Sequence, residues 1–471
     1  MNYSYKVRIW DLQPRKNKDG KVTSYRVRWG VDSKEFGDSF KVRAQADSFR
    51  ADLLSAQRKG EAFDAATGLP ASLLRPAVDL SWFDLTCKYV DMKWPDLAAT
   101  ARQTVAESLI RVMPVFVPKG VNTPTAKVIR SALRQWGYNT ELRNGDKMPV
   151  DVRKVLDWCS RNTAPARKVL DPEVVRDLQR AVTRRLDGKP FAPTVARKTR
   201  SVLFNVLDYA VEKKAIDVNP LVTVKWTSMP KGKRKVDRRA VPNPIQARTL
   251  LMAVRETLRS GPRLEAYFGA MYYSALRPEE AVALNKRHLA LPEPTWNEET
   301  QDYEFGWGEL HLDEATPHVG ARWTNSGKPR DKRQLKSRAA GEGRTVPCPP
   351  ELTALMWRHI KKYGYGDNGQ VFRGDQGGDI PMITYTRVWR AARKRALTEK
   401  THATPLARRP YDLRHAAVST WLAAGLDPAR VAHWAGHSVS VLYEIYAALL
   451  DGGEATARQQ IQTALGHKTD R

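Results

Sequence analysis

The sequence predicts a multidomain, mainly α protein with an α+β C-terminal domain. It has three parts: a small three-stranded β-sheet plus a helix, a helical domain, and a mixed α/β domain. Three observations predict this class. The chain has 471 residues, which is long for a single hydrophobic core. Short runs near the N-terminus alternate apolar and basic residues, whereas a later run has apolar residues at helical spacing. Strand-like runs then return between helical segments of the C-terminal half.

The first module is expected to cover residues 1–75. Residues 5–10 and 25–29 both alternate apolar with basic side chains, as strands with one buried face do. Residues 39–43 predict a third strand. The opposite face of this sheet would carry the basic side chains Lys6, Arg8, Arg26 and Arg28.

A helix and a linker complete this module. Residues 46–58 predict a helix that packs on the three strands. Residues 60–78 contain Pro70 and Pro76 and have the composition of a linker.

A helical domain is expected over residues 79–226. Its clearest helix spans residues 194–214, where apolar side chains from Val195 to Ala210 form a stripe at helical spacing. This stripe is expected to lie in the core of the domain. Basic residues beside it, Arg197, Lys198 and Arg200, would remain outside the core.

An interdomain linker is predicted over residues 227–241. The segment is rich in Lys and Arg, and Asp237 is its only acidic residue. Pro230 and Pro242 flank its basic run from Lys231 to Arg239, so the segment cannot be helical throughout.

Residues 242–471 predict the mixed α/β domain. Helical patterns occupy both ends of this region, and residues 303–348 lie between them. That middle segment contains the strand-like runs 309–312 and 344–347.

The charge of the chain points to a polyanionic partner. Lys and Arg number 79 against 51 Asp and Glu, which gives a formal net charge of +28 and a pI near 10.0. Such a charge is typical of nucleic-acid-binding proteins, although a basic but merely solvated surface is the alternative. Double-stranded DNA is therefore the expected partner, and the sheet face could lie in a major groove. Candidate contacts are Lys6, Arg8, Arg26, Arg28, Arg197, Lys198, Arg200, Lys233, Arg234 and Lys235.

Cysteine usage and hydropathy indicate a cytoplasmic, nucleoid-associated protein. The cysteines Cys87, Cys159 and Cys348 are far apart and form neither a disulfide framework nor a metal-type spacing. Apolar runs of membrane-spanning length are absent from the sequence, and the N-terminus lacks the apolar run of a secretory signal.

Four separated segments of the C-terminal half carry residues suited to phosphate chemistry. Each is weak alone, so the argument depends on their order and spacing. The segments are ALRPEE at 275–280, LKSR at 335–338, YDLRH at 411–415, and GH at 436–437 with Tyr446 nine residues further on.

In this order the segments closely resemble the tyrosine recombinases, also called the lambda-integrase family. That family has an Arg in a Leu-Arg-x-x-Glu segment, a Lys on a β-hairpin, a His-x-x-Arg segment, a Gly-His pair, and a Tyr nine residues beyond it. The counterparts here lie across residues 240–450, and the N-terminal parts resemble the arm-binding and core-binding domains with weaker motifs. The resemblance implies a site-specific recombinase, or integrase, that cuts and rejoins DNA through a 3′-phosphotyrosine.

The resemblance also implies a role for each catalytic residue. Arg277 and Arg414 would clamp the non-bridging phosphate oxygens, because planar guanidinium groups match that geometry. Tyr446 would attack phosphorus, and Lys336 would protonate the leaving 5′-oxygen. His437 would contact the phosphate or position Tyr446.

Rival residues stand close to two of these positions. Tyr443 lies three residues before Tyr446 and is the alternative nucleophile, although the spacing favours Tyr446. Lys328 and Lys332 compete with Lys336, which lies closest to the strand-like run 344–347.

One position departs from the family pattern. Tyr411 stands where the family has His, and a Tyr is a poor base at neutral pH. Tyr411 could serve as a hydrogen-bond donor, which is the preferred interpretation, or His415 could take over the proton transfer. His415 could also be a packed structural histidine.

Two supporting residues complete the candidate site. Glu280, three residues after Arg277, resembles the family's acidic residue, which supports the active site. A carboxylate hydrogen-bonded to an arginine or histidine would fix the orientation of that side chain. His433 and His437 have the spacing of a two-histidine zinc site, but the carboxylate of the zinc-protease pattern is missing. Neither a metal nor another cofactor is therefore predicted.

The expected biological role is integration of a phage or mobile element into a host chromosome. The resemblance implies a tetramer on two DNA attachment sites, possible partnership with an excision factor and a host DNA-bending protein, and no membrane. The alternatives are a type IB topoisomerase-like enzyme and a catalytically inactive DNA-binding regulator of the same fold.

Overall fold

The computed structural model describes residues 3–17, 20–70, 72–73, 80–185, 187–226, 229–230, 236–257, 259–335 and 341–450, together with 458, 461–463 and 465. In the helix that ends at residue 450, side chains are described as far as residue 446. Mainly helical structure with small antiparallel sheets confirms the predicted fold class.

A small sheet covered by one helix forms the N-terminal module. Its elements are β1 (Tyr3–Ser4), β2 (Val7–Ile9), β3 (Gln13–Lys16), β4 (Val22–Val31), β5 (Lys34–Phe40), α1 (Arg43–Arg58) and β6 (Phe63–Asp64). β5 pairs with β4 along one side, and β2 and β3 pair with different parts of its other side. The sheet is therefore three strands wide, as predicted, with one edge strand in two pieces. Val27, Trp29 and Val31 of β4 pack under α1 in the core of the module.

The third strand lies earlier in the chain than the predicted residues 39–43. Its sequence contains Gly, Asp and Ser, which are poor strand formers, and its inward residues are Phe36 and Phe40. A tight turn at Asp32, which has φ +54°, folds the segment back onto β4. Long-range pairing therefore overrides the weak local preference of this segment.

The linker predicted over residues 60–78 is wrong for residues 61–70. β6 pairs with β1, and Phe63 is completely buried in the core of the module. The indole nitrogen of Trp29 donates a hydrogen bond to the carbonyl of Gly68 at 2.5 Å. Pro70 forms a bridge with Phe63, so this segment belongs to the module.

Helices account for most of the next part of the chain, as predicted. They are α2 (Trp82–Lys93), α3 (Ala99–Val112), α4 (Ala126–Ala132), α5 (Thr140–Asn144), α6 (Val150–Asn162), α7 (Pro172–Thr183) and α8 (Pro193–Glu212). The stripe of α8 is buried against α3. Trp82 stacks on Phe116 with ring centroids 3.9 Å apart at the centre of the core.

Helices flank a three-stranded antiparallel sheet in the C-terminal region. The helices are α9 (Pro244–Arg255), α10 (Gly261–Tyr273), α11 (Pro278–Ala283), α12 (Pro350–Tyr363), α13 (Met382–Ala396), α14 (Glu399–Ala403), α15 (Asp412–Ala423), α16 (Pro428–Ala435) and α17 (Val439–Leu450). The strands are β7 (Leu289–Ala290), β8 (Thr295–Asn297), β9 (Asp302–Glu304), β10 (Gly308–Leu312), β11 (Glu314–Ala315), β12 (Arg333–Gln334) and β13 (Arg344–Cys348). β10 pairs with β13 and β7, which confirms the two predicted strand runs.

A loop of the C-terminal domain docks on the helical domain. Trp323 is 3% exposed and belongs to the core of the helical domain. Arg102 of α3 donates hydrogen bonds to the carbonyl of Trp323 at 3.1 Å and to Asn325 Oδ1 at 2.5 Å. Asn139 donates to the carbonyl of Arg322 at 2.5 Å. These contacts fix the loop between β11 and β12 against the helical domain.

Candidate active site

A turn between α10 and α11 brings Arg277 to the site. Ala275 in this turn has φ +50° and is completely buried. Its carbonyl accepts a hydrogen bond from Nη1 of Arg414, which lies on α15. Pro278 begins α11, so Arg277 stands at the N-terminal end of that helix. The turn therefore places two arginines from distant parts of the sequence side by side.

Three arginines converge on the C-terminal end of α16. The last carbonyls of a helix lack partners within the helix and carry partial negative charge. Here the carbonyls of Trp434, Ala435 and Gly436 each accept a hydrogen bond from a different arginine. The donors are, in that order, Nε of Arg344 at 2.9 Å, Nη2 of Arg414, and Nη2 of Arg277 at 2.6 Å.

Glu280 joins the same three guanidinium groups from the other side. Its Oε1 accepts from Arg277 Nη1 at 2.7 Å and from Arg344 Nη1 at 3.0 Å. Its Oε2 accepts from Arg344 Nη2 at 2.7 Å and lies 3.9 Å from Arg414 Nη1. Burial alone would raise the pKa of Glu280, but Arg344 and Arg277 outweigh it and hold that pKa well below its ordinary value. The carboxylate is therefore charged and binds all three guanidinium groups.

Gly436 and His437, which form the Gly-His pair, lie next to these arginines. Gly436 ends α16 with φ +61°, and a Cβ there would lie 3.0 Å from Arg344 Cζ and 3.1 Å from Arg277 Nη1. His437 comes next, and its Nε2 lies 3.0 Å from Arg414 Nη2. An arginine can only donate, so Nε2 accepts and the neutral ring carries its proton on Nδ1.

His437 thus presents a donor to the site. Burial, followed by the charges of Arg414 and Arg277, lowers its pKa to about 3, so the ring is neutral at pH 7. Among the described residues, His437 Nδ1 and Arg414 Nε are buried without a hydrogen-bond partner. Buried donors without a partner are uncommon, and these two are free to donate to an acceptor that enters the site. His433 is exposed on the preceding helix.

Tyr446 reaches the site from α17 and is completely buried. Its hydroxyl lies 2.8 Å from Nδ1 of His415, and its ring centroid lies 5.7 Å from that of His415 and 6.4 Å from that of His437. Burial raises the pKa of the phenol above its ordinary value, while Arg414 acts in the opposite direction. The phenol is therefore protonated in this state and needs a base to react.

His415 is placed to accept that proton, because its Nδ1 lies within hydrogen-bonding distance of the Tyr446 hydroxyl. Burial and the charges of Arg414 and Arg409 lower its pKa to about 4, so its ring is neutral at pH 7. Tyr411 packs edge-on against the His415 ring with centroids 5.0 Å apart, and Arg414 Cζ lies 6.0 Å from the Tyr411 ring. The Tyr446 hydroxyl forms its hydrogen bond with His415 and not with Tyr411.

Tyr443, Lys328 and Lys332 are the alternative candidates for the nucleophile and the general acid. Tyr443 is 45% exposed, in contrast to Tyr446. Lys332 forms an ion pair with Glu314 at 2.7 Å, and Lys328 is exposed. Lys336 lies outside the described residues, two positions after β12.

The basic face predicted for the N-terminal sheet is present. Register places Arg8 opposite Gly30 and places Arg28 opposite Gly37, so Arg8, Arg26 and Arg28 share the face away from the core. Arg8 and Arg28 both lie over the ring of Trp10, at 5.6 and 5.1 Å from its centroid. Lys6 is exposed two residues before Arg8.

The basic residues of α8 are exposed, as predicted, but a second basic surface was missed. Arg197, Lys198 and Arg200 lie on the surface, and Arg200 stacks over Trp226 at 5.0 Å. Lys233, Arg234 and Lys235 lie outside the described residues. A cleft of about 830 Å³ in the helical domain is lined by Arg111, Arg130, Arg134, Arg180, Arg184 and Arg185. These residues come from three separate stretches of the chain, at 111, 130–134 and 180–185, so no local sequence pattern could reveal the cleft.

A possible metal cluster does not fit a metal ion. Within the described ranges, His288, Asp313 and Glu314 form a group whose potential ligand atoms lie within 4.8 Å of one another. The backbone N–H of Asn285 donates to His288 Nδ1 at 3.1 Å, so the neutral ring carries its proton on Nε2. That nitrogen lies 2.9 Å from Asp313 Oδ1, and a protonated nitrogen cannot bind a metal. Arg287 pairs with both carboxylates.

No sequence motif predicted a role for Arg344. It begins β13, is 4% exposed, and contacts both Glu280 and the end of α16. Its position within the predicted strand 344–347 was the available signal, but a buried Arg at the start of a strand is uninformative without the partner.

Comparisons with known proteins show similarity to several solved structures. None of the protein-family models and none of the curated proteins matches the chain. Among the described helices, none is both long and apolar enough to cross a membrane. The chain is similar to the Tn1549 transposon integrase in complex with transposon right end DNA, with TM-score 0.48 and 12% identity over 82% of this chain and 100% of that one. It is similar to a lambda integrase dimer bound to a COC′ core site, with TM-score 0.47 and 13% identity over 94% and 95%. It is also similar to the XerH site-specific recombinase bound to difH substrate, with TM-score 0.47 and 12% identity over 82% and 96%.

Proposed function

We propose that this protein is a tyrosine-type site-specific DNA recombinase that cleaves and rejoins DNA through a covalent link to Tyr446. The observation that carries the proposal is the convergence of Arg277, Arg414 and His437 beside the Tyr446 hydroxyl. A phosphodiester gains negative charge on its non-bridging oxygens as a nucleophile adds, and a preorganised cationic pocket stabilises that charge.

The first step is attack of the Tyr446 oxygen on phosphorus. His415 accepts the phenolic proton through Nδ1, and the bond from phosphorus to the 5′-oxygen breaks. The product is a 3′-phosphotyrosine with a free 5′-hydroxyl on the other DNA end. In rejoining, the 5′-hydroxyl attacks the phosphotyrosine and Tyr446 leaves. This step needs no ATP, because the phosphotyrosine ester retains the energy of the phosphoester bond that was broken. Tyr411 packs against His415 and holds its ring.

Three side chains are proposed to bind the non-bridging phosphate oxygens. Arg277 and Arg414 supply charge and N–H donors, and the unpaired Nδ1–H of His437 supplies another donor. Lys336 is proposed as the acid that protonates the leaving 5′-oxygen, on the basis of its place in the sequence before β13. Glu280 orients the arginines without touching the substrate.

DNA binding is proposed to involve all parts of the chain. The basic face of the N-terminal sheet, with Lys6, Arg8, Arg26 and Arg28, would enter a major groove of arm-type sites. Arg197, Lys198 and Arg200, the arginine cleft, and the linker residues Lys233, Arg234 and Lys235 would contact core-site phosphates. The proposed domains are an arm-binding module at 1–75, a core-binding domain at 79–226, a linker at 227–241 and a catalytic domain at 242–471.

The proposed role is integration of a phage or mobile element, by a tetramer assembled on two attachment sites within the nucleoid. An N-terminal DNA-binding module favours this role over relaxation of supercoils by a topoisomerase-like enzyme. Recombination between two sites in one reaction distinguishes these activities.

The decisive experiment is sequencing of DNA that is trapped covalently on the protein in cells. Adducts should cluster at one sequence in the wild type and in Tyr443→Phe, and should be absent in Tyr446→Phe. Adducts that persist in Tyr446→Phe would contradict the assigned nucleophile. Absence of adducts from every form, despite tight DNA binding and with fast religation excluded, would instead support an inactive regulator.

A further inference from the structure

Arg344 is the arginine of the site without an assigned role. Its side chain is 1% exposed, and it makes two hydrogen bonds to the Glu280 carboxylate and one to the carbonyl of Trp434. It is therefore more deeply buried than Arg277, whose side chain is 11% exposed.

The charge of the cluster depends on Arg344. Arg277, Arg344 and Arg414 contribute three positive charges, and Glu280 contributes one negative charge, which leaves a formal charge of +2. Without Arg344 the same carboxylate would face only Arg277 and Arg414. The formal charge would fall to +1, and one of the two arginines would be neutralised at the phosphate.

The contacts of the Glu280 carboxylate also support a role for Arg344. Arg344 donates to both oxygens of Glu280, at 3.0 and 2.7 Å, and Oε2 lies 3.9 Å from Arg414 Nη1. The backbone N–H of Arg277 also donates to Oε2, at 2.8 Å. Without Arg344, the contacts from Arg277 would remain, and the negative charge of Glu280 would be shared by Arg277 and Arg414 alone. The Arg344 guanidinium also ties the start of β13 to the end of α16, next to His437.

We propose that Arg344 is a positioning residue that occupies Glu280, so that the charges of Arg277 and Arg414 remain available to the phosphate. This inference rests on the proposed function, because the charge matters only if a phosphodiester enters the pocket. Its specific consequence is that Arg344 acts on the charge of the non-bridging oxygens without touching them.

A DNA substrate with a methylphosphonate at the scissile position tests this consequence, because it carries no charge there. Arg344→Met should slow single-turnover formation of the covalent adduct on ordinary DNA by about 10-fold to 100-fold. On methylphosphonate DNA the loss should be no more than about threefold, since less charge develops in the transition state. Arg344→Lys keeps the charge but loses the two-pronged contact, and it should lie between Arg344→Met and the wild type.

Arg393→Met is the matched control for loss of a buried arginine. Arg393 is 6% exposed in the same domain, and its recorded hydrogen bonds go to the carbonyls of Leu406, His402 and Thr404. Any loss in this variant should be equal on both substrates. Equal losses on both substrates in Arg344→Met, or no loss on ordinary DNA, would overturn the proposal.

A binding measurement separates this inference from the proposed function. In a Tyr446→Phe background, affinity is compared for DNA with a phosphate and with a methylphosphonate at the site. A preference for phosphate that shrinks in Arg344→Met supports the charge argument even if the wild type never cleaves DNA. A preference that is unchanged by Arg344→Met, or absent from the parent, contradicts it.

Discussion

Replacement of His415 by Gln should separate proton transfer from the other functions of the site. The wild-type ring lies 2.8 Å from the Tyr446 hydroxyl, and its pKa of about 4 keeps it neutral at pH 7. Since the ordinary value is 6.5, protonation of His415 in the folded protein is opposed by about 3 kcal/mol. The proposed base is therefore neutral throughout the physiological pH range.

The expected loss follows from the ordinary contribution of a positioned base. Single-turnover cleavage by His415→Gln at pH 7 should be slower by about 10² to 10⁴. Wild-type cleavage should be nearly independent of His415 titration between about pH 5 and 8. The variant must rely on ionised phenol, so its rate should rise about tenfold for each pH unit. Cleavage by the variant within about threefold of the wild type, with the same pH profile, would refute the assignment of His415 as the base.

His359→Gln is the matched control for this measurement. His359 is 4% exposed, has a pKa lowered to about 4 chiefly by burial, and contacts the carbonyl of Val371 at 3.1 Å. Both histidines resist protonation only in the folded protein, so both lower the free energy of unfolding as the pH falls from about 6.5 towards 4. Both replacements should therefore reduce this acid sensitivity in urea titrations, whereas only His415→Gln should slow cleavage.

Three further perturbations test other parts of the structure. Gly436→Ala should lower the free energy of unfolding in urea by about 1 to 3 kcal/mol, because φ is +61° and the new Cβ would lie 3.0 Å from Arg344 Cζ; an unchanged value would contradict the packing. Arg102→Ala removes two of the hydrogen bonds that join the helical domain to the loop before β12, so the calorimetric transition should broaden or divide in two; a transition as sharp as that of the wild type would contradict a coupling role for Arg102. Arg28→Ala should weaken DNA binding and reduce the salt slope by about 1, while Arg43→Ala, an exposed residue of α1, should not; equal effects would argue against the sheet face.

Local patterns in the sequence were sufficient for several elements. The apolar stripe of α8 and the alternating runs of β10 and β13 can be recognised from neighbouring residues alone. The spacing of the apolar residues predicts which face of each element is buried. The order of the four motif segments was likewise enough to select Arg277, Arg414, His437 and Tyr446. The structure brings these four side chains together, while their chemical roles remain predictions.

Other features were beyond local patterns. Residues 61–70 have linker composition, yet β6 pairs with β1 and buries Phe63. Trp323 lies in a polar loop, yet it enters the core of the helical domain. In both cases the partner lies far away in the sequence, so composition alone could not predict burial.

By itself, therefore, the sequence determined the fold class, the basic character of the chain, and the candidate residues for phosphate chemistry. Only the tertiary structure decided that His415 contacts Tyr446, that Arg344 joins Glu280, and that three arginines cap the end of α16. The physical reason is that periodicity and composition are properties of neighbouring residues. A hydrogen bond or a shared charge, in contrast, depends on distances that exist only after α11, β13, α15, α16 and α17 have packed together.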